Sequence, residues 1–242
     1  MRARFFMRWF ALWLAVAVCR ATGADAPTPA VPPAPANAPT NAPLKQIGPG
    51  LFQLGEVQFN KNDKTVTFPA RVNMNEGLIE YLLVSTAGKT HESLLLTQAE
   101  PYHIHLAMLL LGAKGTPTMP AEQRAQTKTV RGDEIAIHVS WAGKDGKKSY
   151  AGEELIFNLQ SKVPMSAGHW TYNGSWIFEG TFIAQRERSI VSIIHDHDAL
   201  VNNPRPGRED DELWQARKEI VPAVGTPVEV TLKLQPTRAI KQ

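Results

Sequence analysis

Thiol chemistry is almost absent from this chain of 242 residues, which contains one cysteine, Cys19. A lone thiol forms neither an internal disulfide nor a multi-thiolate metal site, so stability has to come from burial. The chain also lacks any apolar run of the roughly 20 residues that a membrane-spanning helix needs. No G-x-S-x-G stretch marks a nucleophile elbow, and no Lys/Arg stripe marks a nucleic-acid surface. Phosphate-loop spacing is missing too. In GKDGKKS (143–149) two residues, not four, separate Gly143 from Gly146, and the segment joins two strand-like runs rather than a strand and a helix. His91-Glu92 lacks the second histidine of a metalloprotease helix, because position 95 is leucine.

What is present begins with a leader. Arg2, Arg4 and Arg8 precede the apolar run Trp9–Cys19, and small residues follow as far as Gly23 and Ala24. This is the pattern of a secretory signal peptide, and it predicts removal of residues 1–24 and export to the periplasm or the extracellular space. Val18 is larger than the residue that normally precedes a lipidated cysteine, which argues against a lipid anchor at Cys19. Loss of the leader's four arginines takes 26 basic residues to 22 against 23 acidic ones, a net charge of about −1. The basic character of the whole chain therefore says nothing about nucleic acid as a partner, and no transmembrane segment is expected after cleavage.

Residues 25–49 open with DAPTPAVPPAPANAPTNAP, which alternates proline with alanine, threonine and asparagine. Such a stretch builds no core and is expected to be a disordered, semi-rigid spacer. Residues 50–236 are expected to form a single globular domain, followed by a short tail, 237–242. At roughly 190 residues, that domain can hold together without disulfides.

Strand-like runs recur along the domain: 51–59, 64–72, 78–86, 93–97, 133–143, 153–159, 189–194 and 226–234. LIEYLLVST (78–86) is nearly continuous in apolar residues, which predicts burial on both faces. PYHIHLAMLLL (101–111) has proline at its start and Gly112 at its end, the punctuation of a short helix. Asn173-Gly174 predicts a hairpin setting HWTY against SWIFEGTFIA, and DDELWQARKEI (210–220) has helical character. The class expected is α+β, mostly antiparallel β, sandwich or barrel-like, with one or two short helices.

Titratable and aromatic concentrations supply the candidate sites. His91 and Glu92 stand side by side at the mouth of SLLLT, as strand punctuation or as a ligand-contacting pair. His103 and His105 fall in the helix, where H-x-H points the rings apart. His195 and His197 fall where a strand runs out, and there both rings can face one way as half of a metal site. The competing reading of HDHDALVNNP is a loop in which Asp196, Asp198 and Asn202 supply turn hydrogen bonds. Trp170, Tyr172 and Trp176 are candidates for an aromatic binding platform or for core packing. No cofactor is predicted, and His195 and His197 stay as candidate metal ligands.

The stretch GLIEYLLVSTAGKTHESLLLTQAEPYHIHLAMLLLGAKG, with the later NGSWIF, HDALVNNP and VPAVGTPVEVTL, resembles the YdjY-like domain over roughly residues 50–236. The resemblance implies an exported or envelope-associated bacterial domain and brings no catalytic residues with it. Some proteins of similar sequence are associated with iron–sulfur chemistry through separate cysteine motifs, and those cysteines are missing here. Two functions are carried forward. One is a non-catalytic module that binds an envelope protein or a small ligand. The other is a metal-binding protein or hydrolase-type enzyme using His91 and Glu92 and also His195 and His197.

Overall fold

The computed structural model describes residues 40–117, 123, 127 and 129–236. The predicted signal segment, most of the spacer and the tail 237–242 lie outside the described residues. In chain order, β1 (Leu44–Gly48), β2 (Leu51–Leu54) and β3 (Val57–Asn60) form a meander that leads into the long β4 (Thr65–Val72). β5 (Tyr81–Ser85), a 3-10 turn at Thr90–Glu92, and β6 (Ser93–Thr97) precede α1 (Pro101–Leu111). The hairpin of β7 (Asp133–Gly143) and β8 (Gly146–Ala151) is followed by β9 (Ile156–Asn158), β10 (Val163–Pro164) and β11 (Trp170–Tyr172). A second small hairpin, β12 (Ile177–Phe178) and β13 (Thr181–Phe182), runs into α2 (Ile183–Glu187). β14 (Ser189–Ser192), β15 (Val201–Asn202), β16 (Trp214–Ala216) and β17 (Pro227–Leu234) complete the chain.

Eight of these strands close on themselves in the order β4-β17-β7-β11-β15-β14-β5-β6 and back to β4. Closure works because two long strands each share one edge. β4 gives Thr65–Thr67 to β3 and Arg71–Val72 to β6, while β7 gives Asp133–Ile135 to β11 and His138–Gly143 to β8. A closed barrel leaves no unpaired edge on its wall. Pairing is antiparallel except at β5–β6 and β14–β15.

Alternation explains the exposed half of the wall. Val66, Phe68 and Val72 of β4, Val228, Val230 and Leu232 of β17, and Ile135, Ile137, Val139 and Trp141 of β7 are buried, with more exposed neighbours between them. β5, β6, β11 and β14 are buried on both faces, as the apolar run at 78–86 predicts for β5. α1 lays Ile104, Ala107, Met108 and Leu111 into the same core, against β3 and β4. Each such aliphatic side chain contributes about 1.5–3 kcal/mol by leaving water. α1 ends at Leu111 because Gly112 turns left-handed (φ 97°), donating to Leu109 O while Ala113 donates to Met108 O.

Four expectations change. LFQLGEVQF is two strands, β2 and β3, folded back at Gly55-Glu56, with Gly55 at φ 58°. The spacer does not reach residue 49, since Leu44–Gly48 pairs with β2. Asn173-Gly174 is no hairpin turn: both its amides donate to Leu200 O, and β11 lies between β7 and β15. The hairpin turn in this region is Glu179-Gly180, with both residues at positive φ (47° and 74°), joining Phe178 to Thr181. DDELWQARKEI is not helical; it contains β16, whose Trp214 is buried and pairs with Asn158 of β9. Among the described residues no helix is long and apolar enough to cross a membrane.

Candidate functional site

Segments distant in sequence meet beside the C-terminal half of α1 and leave a cleft of about 370 Å³. His105 and Leu109 come from α1, Lys114 and Thr116 from the segment after it, Asn173 to Trp176 from the β11–β12 connection, and Ile177 and Phe182 from the small hairpin. The post-helix segment is held by Asp133, whose carboxylate accepts from the Lys114 and Gly115 amides at 2.7 Å each. Thr116 N–H then donates to Asn173 O at 2.9 Å. This contact needs glycines. A Cβ on Gly115 would lie 2.8 Å from Asn173 O, and one on Gly132 would lie 2.0 Å from Tyr172 O.

The opposite wall carries strain. Ser175 sits at φ 56°, directly after Gly174 at 77°, a conformation costing a non-glycine residue of order 1 kcal/mol. It is held because Ser175 Oγ donates to Asp198 O (2.8 Å) and accepts from Ala184 N (3.0 Å). Trp176 is fixed by its Nε1–H, which donates to Asp198 Oδ1 at 2.7 Å.

His105 is held neutral. Burial lowers its pKa to about 4, while burial and Asp133 push the Tyr172 phenol above its usual range. The phenol and His105 Nδ1 share a hydrogen bond at 2.7 Å. Phe182 covers the imidazole, with ring centroids 4.7 Å apart. Around the mouth Leu109, Leu110, Ile177 and Phe178 are exposed, Ile177 to 69%. Lys114 is also exposed, and its amine has no partner among the described residues. The cleft thus offers apolar and aromatic walls and, among the described residues, a cation without an ion-pair partner.

A second, much smaller hollow of about 20 Å³ shares Thr116 and Asn173 with the cleft and is otherwise lined by Thr127, Thr129, Val130, Arg131, His195, His197 and Asn202. The loop bearing the histidines is clamped from below. Asn202 accepts from Asp196 N (3.0 Å) and donates to Asp196 O (2.7 Å) and Asn173 Oδ1 (2.9 Å). Asp196 Oδ1 accepts from Asp198 N, and its Oδ2 accepts from Tyr81 O–H, which Lys89 also bonds. Asp196 and Asn202 thus make the loop hydrogen bonds their residue types suggest, whereas the Asp198 carboxylate accepts from Trp176 instead. The His195 and His197 rings meet edge to face, 4.3 Å between centroids. The Nε2 atoms of both are buried without a hydrogen-bond partner. Burial, then His197 and Arg208, holds the His195 pKa below its ordinary value.

A wider hollow of about 470 Å³ lies along β7, β8 and β17. It is a shallow surface whose Lys147 already pairs with Glu229 at 3.1 Å, so the cleft is the better candidate.

The other sequence candidates lie elsewhere. His91 is 80% exposed, its Nε2 3.3 Å from Glu92 Oε2 on the 3-10 turn before β6. Glu92 in turn meets Glu80, whose pKa is raised by burial and by the Glu92 charge. Neither residue lines the cleft or the small hollow. Trp170 is fully buried; its Nε1–H donates to Glu153 Oε2 (3.0 Å) and the Arg205 guanidinium lies over its ring. Tyr172 is buried behind His105, and of the three aromatics Trp176 alone lines the cleft. Leu109, Lys114, Asn173 and Phe182 were missed, because only the tertiary fold brings them together.

The family model of the YdjY domain matches residues 57–233, from the start of β3 almost to the end of β17. The chain belongs to the YdjY domain family. That match includes every strand of the barrel wall and both hollows, and leaves β1 and β2 outside. No curated protein and no solved structure matches the chain.

Proposed function

We propose that this YdjY-domain protein is an exported, non-catalytic binding module whose ligand is a small amphiphilic anion. The observation that carries this is the cleft beside α1, where Leu109, Trp176, Ile177 and Phe182 form apolar walls and Lys114 supplies the charge. Clefts of roughly 300–1,000 Å³ with apolar walls and few polar groups are the usual form of small-ligand sites. The histidine in the wall favours binding over chemistry, because Tyr172 occupies its Nδ1 and Phe182 covers its face. Arg2, Arg4 and Arg8 ahead of the apolar run Trp9–Cys19 support export to the periplasm or the extracellular space.

8-Anilinonaphthalene-1-sulfonate, an aromatic body with one sulfonate, is a suitable probe. Its fluorescence on titration should show one saturable site. Ile177→Glu and Lys114→Glu both change exposed side chains and should each weaken binding at least tenfold, with melting temperatures unchanged. Equal binding by all three proteins refutes the assignment. Fractionation of cells expressing the full chain should recover a shortened protein outside the cytoplasm; retention of the full-length chain inside refutes export.

A further inference from the structure

Among the described residues, the pair His195 and His197 leaves two buried ring nitrogens without a hydrogen-bond partner. A buried nitrogen without a partner costs roughly 1–3 kcal/mol, and here two such atoms, both Nε2, belong to adjacent rings that line one small hollow. The arrangement is also rigidly supported. Asn202 bonds the backbone of Asp196 on both its amide and its carbonyl side, and Asp196 is fastened to Tyr81 and to Asp198. Asn202 and Asp196 thus fix the backbone that carries both rings, so the two imidazoles are presented from a preformed loop.

We propose that His195 and His197 hold one transition-metal ion of the zinc, copper or nickel class through their Nε2 atoms. Imidazole nitrogen suits these ions, at about 2.0–2.1 Å for zinc. The two rings meet at 4.3 Å between centroids and line the same hollow, which brings both imidazoles to one place that an ion could occupy. The hollow, about 20 Å³, has room for one such ion with water. Among the described residues no third His, Cys, Asp or Glu joins the pair, so the remaining positions belong to the Thr116 hydroxyl or to water. With two protein ligands the site binds less tightly than a closed four-ligand structural site. The proposal does not depend on the cleft having a ligand.

The test uses the mature chain, purified without a histidine tag, stripped with chelator and titrated calorimetrically with zinc alone. One equivalent should bind. His195→Ala and His197→Ala should each weaken binding at least tenfold, whereas His91→Ala, which alters an exposed histidine, should bind as the parent does. No binding by the folded parent, or undiminished binding by both hollow variants, overturns the proposal. Should either variant fail to fold, long-range ¹H–¹⁵N spectra of the parent decide the matter. Zinc should shift the Nε2 resonances of two histidines, and those two should be His195 and His197. Shifts at other histidines, or none, point to a buried water bridging the rings and overturn the assignment.

Discussion

Acidification from pH 7 to pH 4 should destabilise the native protein through His105, and the size of the effect follows from its surroundings. Its pKa is lowered from 6.5 to about 4 because burial penalises the imidazolium. Between those values the unfolded chain takes up a proton at this position and the folded chain does not. Stability therefore rises with pH across that interval and is lost as pH falls through it. At about 1.4 kcal/mol per pKa unit, the full loss is roughly 3 kcal/mol, or roughly 2 once the residual exposure of the ring is allowed for. Urea unfolding of the parent and of His105→Gln at half-unit steps from pH 7.5 to pH 3.5 isolates the effect. The variant carries a pH-independent penalty from its lost packing against Phe182. The difference between the two proteins should therefore shrink as pH falls from 6.5 and level off near pH 4. Two parallel stability curves would refute the reasoning, since they would mean that the cleft-wall imidazole is solvated in the native state.

Three further outcomes follow from the same coordinates. Glu80→Gln should stabilise the protein at pH 7 by a few tenths to about 1 kcal/mol. The Glu80 pKa is raised by burial and by Glu92, so the parent loses stability as pH rises past the ordinary carboxylate value, and the variant, followed by thermal melts from pH 4 to pH 7, should lose less. Gly132→Ala should destabilise by at least about 2 kcal/mol in urea, because its Cβ would lie 2.0 Å from the Tyr172 carbonyl oxygen in a position at φ 153°. Trp170→Phe should cost roughly 1–3 kcal/mol in the same assay, since it leaves a lobe of the buried Glu153 carboxylate without its donor.

Much of the barrel is legible in the sequence, because local and tertiary demands agree there. Pro101 and Gly112 bound α1 at the residues where the helix begins and ends, and the unbroken apolar runs at 81–85 and 93–97 are the strands buried on both faces. The misreadings come where a local signal is overridden. Asn173-Gly174 has hairpin chemistry, yet the Asn173 side chain donates to Ala199 O and accepts from Asn202, so the loop that returns beside β11 takes the place of a hairpin partner. The break at Gly55-Glu56 is hidden because it is two residues long and strand-forming residues flank it on both sides. Trp214 sits in a charged stretch with helical composition, and only its pairing with β9 shows it to be strand.

The sites were legible in part. H-x-H at 195–197 marked two rings that the structure does place together, and Trp176 was among the aromatic candidates. Helical spacing turns His105 away from His103, so H-x-H at 103–105 carries no signal for a site. The actual partner of His105, Tyr172, lies 67 residues away and comes into reach only through closure of the barrel. Lys114 carries no local mark at all.

Amide chemical-shift mapping with 8-anilinonaphthalene-1-sulfonate tests the central claim, that the cleft beside α1 is the binding site, most directly. Perturbations should concentrate at Leu109, Lys114, Gly174 to Ile177 and Phe182 and saturate with a single dissociation constant. Shifts centred instead on Trp141 and Val228 along the β7–β17 surface, or scattered without saturation, would contradict it.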